Sequence, residues 1–253
     1  MRGSAIALAA VLAAAVGALG ANAQTIAHRV DAVRDGVVLM KFAARPGVCG
    51  DGNGSIWSSS PRGTSFSDRR DICIAGPVRV ALGRADNSTV SVRVYVGGDW
   101  RAGASETDLG TVSPGEAAEY LVGLAHVIGG RSGSDAVSGA ALADAPNVAA
   151  TLVSLVRDAN APVATRQNSL YWVGQSDVST RDIVALYDQH EPFALREHFT
   201  FVISQRRDDA AVDKLIDMAQ HDSDIEIRKR AMYWLGQTGD SRAVKFLRDL
   251  ITR

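Results

Sequence analysis

The sequence predicts an α+β chain, a small N-terminal antiparallel β domain followed by a stack of helix pairs. Three observations predict it. Val90 to Val96 reads Val-Ser-Val-Arg-Val-Tyr-Val, a strict alternation of period two, the pattern of a half-buried strand. From Pro114 onward apolar residues recur at helical spacing instead. Three segments of that second half align on Arg166, Arg196 and Arg228, at offsets of 30 and 32 residues, the interval of a repeated helix–turn–helix unit.

The chain opens on a positive Met1-Arg2, an uncharged run from Ala5 to Leu19, and small residues at Ala21 and Ala23. This is the three-part layout of a secretory signal, with cleavage expected between Ala23 and Gln24. The other reading is a retained anchor, but the run is rich in Ala and Gly rather than Leu and Ile, which weakens insertion. The expected division is a signal peptide at 1–23, a β-rich domain at 24–112 and a helical repeat domain at 113–253, with the mature protein periplasmic or secreted. The whole chain carries a net charge of −1, and the removed segment contributes only Arg2. A near-neutral chain without a basic stripe argues against a nucleic-acid partner. No later stretch is long and apolar enough to span a bilayer, so no membrane association is expected after cleavage.

The β half opens with Val37-Val38-Leu39-Met40-Lys41-Phe42, introduced by Asp35-Gly36. Pro77 to Leu82 alternates apolar and polar residues, and Gly83-Arg84-Ala85-Asp86-Asn87-Ser88 supplies turn chemistry between it and the Val90–Val96 run. That pair reads as a hairpin, with Val90, Val92, Val94 and Val96 on one face and Ser91, Arg93 and Tyr95 on the other. Cys49 and Cys73 are the only cysteines. In an oxidising compartment an even, small count predicts a disulfide, here closing the Gly/Ser/Pro-rich segment between them. Two cysteines with no nearby histidine leave a zinc site short of ligands.

In the helical half, Ser113 and Pro114 start a helix over Glu116–Ala125. Each aligned segment then provides a first helix, a polar turn and a second helix, the last expected at Thr180–Gln189, Asp209–Gln220 and Ser241–Thr252. A weaker copy precedes them from Asp135 to Asp158. Gly174 and Gly236 are placed to end first helices, and Asp208 and Asp240 to cap second ones. A single helix pair cannot bury its apolar face alone, so stacked neighbours must share a core. In the last copy, Val244, Leu247 and Ile251 are expected to face that core. The charged residues Arg242, Lys245, Arg248, Asp249 and Arg253 would face away, making the terminal helix a cap and the chain a monomer.

The residues from Arg228 to Leu247 read Arg-x-x-Ala-x-x-Trp-Leu-Gly-Gln-x-Gly-Asp-x-Arg-Ala-Val-x-x-Leu. This resembles the bacterial HEAT-like repeat, over about residues 135–253. Phe199, Ser204 and Arg207 depart from its small residue, Gly and Gly-Asp. The resemblance implies a right-handed α-solenoid whose second helices line a concave binding face.

Candidate chemistry is sparse. His190-Glu191 and Glu197-His198 flank Pro192 without the His-Glu-x-x-His spacing of a helical zinc site. Asp51-Gly52-Asn53-Gly54-Ser55 imitates the start of a calcium loop, but Arg62 stands where the bidentate Glu would be. Ser58, Ser59, Ser60 and Ser65 have no nucleophile-elbow context. Trp172 and Trp234, with Tyr171 and Tyr233, occupy matching repeat positions and read as core or inter-repeat packing. Arg166, Arg196 and Arg228 read as ion-pair partners of an Asp of the neighbouring turn. The polar positions of the second helices, Arg181, Asp182, Lys214, Asp217, Lys245 and Arg248, are the expected partner-binding residues, their mixed signs suiting a protein. The functional expectation is an exported non-catalytic scaffold or adaptor that uses no cofactor and no metal. The alternative is an envelope hydrolase or lyase built on the Gly/Ser-rich loop with Asp51 and Ser55.

Overall fold

The computed structural model describes residues 25–58, 73–100, 103 and 105–252. The expected signal at 1–23, and Ser59, Ser60, Arg62 and Ser65 of the Gly/Ser-rich segment, lie outside the described residues.

A short helix α1 (Ile26–Asp31) precedes strands β1 (Gly36–Phe42), β2 (Val48–Gly50), β3 (Ile56–Ser58), β4 (Val78–Ala85), β5 (Ser88–Val96) and β6 (Glu106–Thr111). β4 and β5 form the expected hairpin. Its turn is only Asp86-Asn87, at φ +49° and +62°, left-handed positions that short polar side chains tolerate and that match the twist of paired strands. The main sheet has the order β5-β4-β1-β6. It is mixed rather than antiparallel, because β6 runs parallel to β1. β6 lacks any apolar alternation (Glu-Thr-Asp-Leu-Gly-Thr). Only its pairing to β1 makes it a strand, so no periodicity announced it.

Val38, Met40, Val78, Val80, Leu82, Val92 and Val96 are buried in one apolar core with Leu121, Ala125, Ala136 and Ala140. The last four belong to α2 (Pro114–Ile128) and α3 (Gly130–Ala141), which pack on each other while α3 lies across β5. Close approach explains Gly139: a Cβ there would meet Val94 and Leu121 at 3.3 and 3.1 Å. The helices thus complete the sheet's core, which an isolated half-polar sheet could not bury.

Cys49 and Cys73 are joined in a disulfide. It holds β2 against the segment before β4, where Gly50 and Ile74 exchange backbone hydrogen bonds of 3.0 and 2.8 Å. Closing a loop of this length removes unfolded-state entropy worth about 3 kcal/mol. Reduction is therefore expected to lower the thermal midpoint by roughly 2–4 °C per kcal/mol lost, as differential scanning calorimetry with and without reductant would show.

Beyond α3 the chain forms α4 (Val148–Arg157), α5 (Val163–Gln175), α6 (Thr180–Val184), α7 (Phe193–Ser204), α8 (Asp209–His221), α9 (Ile225–Thr238) and α10 (Ser241–Ile251). First helices stack in the order α3, α5, α7, α9, while α6 packs on α8 and α8 on α10. Asp208 and Asp240 cap α8 and α10 as expected, accepting from the Ala211 and Arg242 N–H groups. α5 ends on Gly174-Gln175 as expected, but Gly236-Gln237 do not end α9. α9 runs on to Thr238 and stops at Gly239, at φ +68°. Gly174 lies where a Cβ would come within 2.6 Å of Val202, so its smallness serves the contact between α5 and α7. The second helix expected at Thr180–Gln189 is only five residues long. The terminal helix also differs from expectation: α10 turns Ala243, Phe246 and Leu247 inward and leaves Val244 and Ile251 exposed, the latter at 86%.

Of the repeated arginines, Arg166 and Arg196 are buried and Arg228 is half-buried. Arg196 donates to Asp222 at 2.9 Å and to Asp224 at 3.4 Å, and Arg166 donates to Glu191 at 2.5 Å. Arg228 instead donates to the main-chain oxygen of Asp222, at 2.6 Å.

Candidate functional site

A cleft of about 900 Å³ opens where the sheet meets the first repeats. One wall is the β2–β3 hairpin, through Ile56, Trp57 and Ser58. A second is the edge strand β5, through Ser91 to Tyr95, and the third combines Arg131, Asp135 and Ser138 of α3 with Tyr171 and Trp172 of α5. Its size is that of sites that enclose small molecules or peptide segments, roughly 300–1,000 Å³.

The walls are tied together by arginines. Arg45 donates to the Ala141 carbonyl at 3.0 Å and to Ser58 Oγ at 2.6 Å, and its guanidinium lies 5.9 Å from the centre of the Trp172 ring. Burial holds it below the ordinary arginine value, with Asp177 opposing. Trp172 is oriented by donating from Nε1 to Ser138 Oγ at 3.2 Å. Beyond the Tyr95 end, Arg79 is almost fully buried and donates to the carbonyls of Gly97, Asp99 and Gly52 at 2.8, 2.8 and 2.6 Å. Its guanidinium stands 5.4 Å from the Tyr95 ring and 4.7 Å from Trp100, a stacked cation that fixes the turn after β2 to the turn after β5.

Among the described residues the cleft's charges are Arg93, Arg131 and Asp135. Asp135 lies 3.8 Å from Arg131. Burial raises its carboxyl above the usual range, with Arg131 and Arg93 drawing it back. The balance is therefore cationic and aromatic.

Reading the two Tyr-Trp pairs as packing holds for the tryptophans and not for the tyrosines: Trp172 packs against the core and donates to Ser138 of α3, whereas Tyr171 and Tyr233 are 37% and 57% exposed. Trp234, in the matching position, does pack on an earlier repeat, with its ring 5.6 Å from Phe201. Tyr171 and Trp172 also line the cleft, because at this end of the array the sheet stands beside the stacked first helices. No spacing rule marks this. The one signal in the chain was the aromatic pair falling in the first clear copy after a β half.

The six second-helix residues lie on α6, α8 and α10, and none lines the cleft. Arg181, Lys245 and Arg248 are exposed. Asp182 accepts from Ser179 Oγ at 2.6 Å. Lys214 donates to Asp217 at 2.8 Å and sits 4.8 Å from the Tyr187 ring, and Asp217 is held below the usual carboxylate range first by that bond.

The remaining sequence candidates are absorbed by local structure. Asp51 accepts from the N–H groups of Asn53 and Ser55 at 2.8 and 3.0 Å. These bonds hold its carboxyl below the ordinary range, which suits a turn-closing acceptor better than a base working near neutral pH. His190 contacts Asp188, Glu191 pairs with Arg166 and Glu197 with Arg230. Among the described residues no cluster of three metal-type ligands forms, and no helix is long and apolar enough to cross a membrane.

His198 is partly buried, and its Nε2 has no hydrogen-bond partner among the described residues. Burial pushes its pKa down from the usual value. Below about pH 6.5 the unfolded chain takes up a proton that the folded chain resists, so stability falls as pH drops through that value. Thermal melts at about pH 7.5 and about pH 5.5 are expected to show this loss, and His198→Phe to reduce it.

No curated protein and no solved structure matches the chain. A family model described as HEAT repeats does match residues 180–253, the span of α6 to α10, and the C-terminal part of the chain carries HEAT-like repeats.

Proposed function

We infer that the chain is an exported, non-catalytic adaptor that holds a protein partner where its β half meets its repeats. The observation that carries this is the cleft, whose aromatic and arginine lining is contributed by both halves, in a chain whose C-terminal part carries repeats of a generally protein-binding kind. The signal-like start and the Cys49–Cys73 disulfide support an oxidising, periplasmic or secreted location. Residues 24–112 and 113–253 serve as the two parts, the second read as a right-handed solenoid with its second helices on the concave side. Arg181, Asp182, Lys214, Asp217, Lys245 and Arg248 offer a second contact surface, and the adaptor works as a monomer without cofactor.

The test is crosslinking of the mature protein in intact cell envelope, followed by mass spectrometry. Two variants are compared with the unaltered chain, one with Trp57 and Trp172 replaced by Ala, the other with Arg181, Lys214, Lys245 and Arg248 reversed in charge. A discrete protein lost with the first variant places the partner in the cleft; loss with the second moves it to the second helices. Capture of nothing by the unaltered chain, together with turnover of a small molecule, would overturn the adaptor reading in favour of the hydrolase or lyase.

A further inference from the structure

β5 is the outer strand of the main sheet, and its main-chain polarity can be read from its neighbours. The Val96 carbonyl accepts from Gly52 N–H at 3.1 Å, on the side away from β4, whereas Gly97 N–H donates to Pro77 O at 3.2 Å, toward β4's side. In an antiparallel pair the N–H and C=O of one residue point the same way, and the direction alternates along the strand. Ser91, Arg93 and Tyr95 therefore bond across to Gly83, Ala81 and Arg79 of β4, while Val92 and Val94 aim both groups outward. Both valines line the cleft. Among the described residues no strand pairs with that side of β5.

A strand edge that faces a walled cleft is a template for one more strand. The usual protections are few: Ser91 to Val96 contains no proline, and Arg93 is its only charge. The side chains of Val92 and Val94 lie on the α3 face, with Val94 close above Gly139. A strand added beside them would turn alternate side chains toward Tyr171 and Trp172, an aromatic wall. Its intervening side chains would stand beside Arg93, which makes no ion pair among the described residues, and cross-strand opposite charges are favourable.

Resting on the adaptor reading, we propose that the cleft binds an extended segment of a partner protein, alternating apolar and acidic residues, which pairs as a fifth strand with the outward groups of Val92 and Val94.

The experiment uses the full mature chain and three fluorescein-labelled peptides: (Val-Glu)4, (Val-Lys)4, and (Val-Glu)4 with two internal prolines. Anisotropy is expected to show (Val-Glu)4 binding at least about ten-fold tighter than either other peptide, following opposite-charge pairing and an intact donor row. Arg93→Glu should invert the order of the first two. Val94→Pro removes an outward N–H without touching the bonds to β4, so binding should fall at least about ten-fold while the circular dichroism spectrum is kept. Should that variant fail to fold, amide exchange on the unaltered protein decides. Saturating (Val-Glu)4 must slow exchange at Val92 and Val94 and leave the already bonded Arg93 unchanged.

Unprotected amides, or peptide affinity indifferent to Val94→Pro, would overturn the proposal. So would binding of a soluble N-acetylglucosamine hexamer that perturbs the indoles of Trp57 and Trp172 while the peptides do not bind; that result would assign the aromatic walls to a glycan. A crosslinked partner retained by the Val94→Pro protein, with no peptide bound, sinks strand addition and leaves the adaptor standing. Peptide binding with an empty envelope crosslink does the reverse.

Discussion

Asp222→Ala is expected to destabilise the protein by about 3–5 kcal/mol, the cost of stranding one member of a buried ion pair. The Asp222 side chain is fully buried. One carboxylate oxygen accepts from Arg196 at 2.9 Å and from the Asp224 N–H at 3.0 Å, and the other accepts from the Tyr187 hydroxyl. Burial, and then the bond to Asp222, hold the Tyr187 phenol well above its ordinary value, so it stays a neutral donor. The node joins the turn after α6, the helix α7 and the turn before α9, three successive repeats in one network. Removing the carboxylate takes away the shorter of the two carboxylate contacts of Arg196 and leaves it the 3.4 Å contact to Asp224 and the Tyr187 hydroxyl. At roughly 2–4 °C per kcal/mol for a chain of this size, the thermal midpoint should fall by on the order of 10 °C. Asp222→Asn keeps the shape and one acceptor, and should cost less. A drop under about 1 kcal/mol for the alanine variant, the level of an exposed pair, would show that the network is not a structural joint.

Phe199→Ala is the second large effect, and it runs against the repeat pattern. The matching positions in the neighbouring copies are Ser169 and Ala231, both fully buried, so pattern alone makes alanine a correction toward the other copies. The structure predicts a loss of about 3–5 kcal/mol instead, the cost of emptying a core aromatic site. α6 is five residues long where α8 has thirteen, so the second-helix layer supplies less side-chain volume here. Phe199 is fully buried and meets the Tyr187 ring edge-on at 5.5 Å, occupying the interior that a longer helix would otherwise cover. Urea unfolding measures the difference. An unchanged or higher midpoint would mean that the neighbouring side chains close over the space.

Much of this architecture was legible because it depends on local periodicity. The hairpin of β4 and β5 follows from the alternation around Val90–Val96, and the helix pairs follow from spacing repeated three times with aspartates at their starts. The disulfide followed from a count of two and from the export expected of a signal-like start. These are properties of neighbours along the chain, so sequence carries them. β6 had no such pattern. Its strand character comes from β1, far away in sequence, and with it came the parallel pairing that makes the sheet mixed. The shortness of α6 was equally hidden, since Thr180–Gln189 keeps a helical distribution of apolar residues past the point where the backbone stops.

The candidate site divides along the same line. Sequence by itself determined a β half, a C-terminal repeat array and a chain with few catalytic constellations. It also determined that Tyr171-Trp172 and Tyr233-Trp234 are equivalent by position. Only the tertiary structure decided that the first pair also lines a cleft, because that depends on where the sheet stands beside the stacked first helices. The same holds for the outward groups of Val92 and Val94. Every strand has such groups on alternate residues, and whether they are paired, covered or facing a cleft depends on which strand lies at the edge.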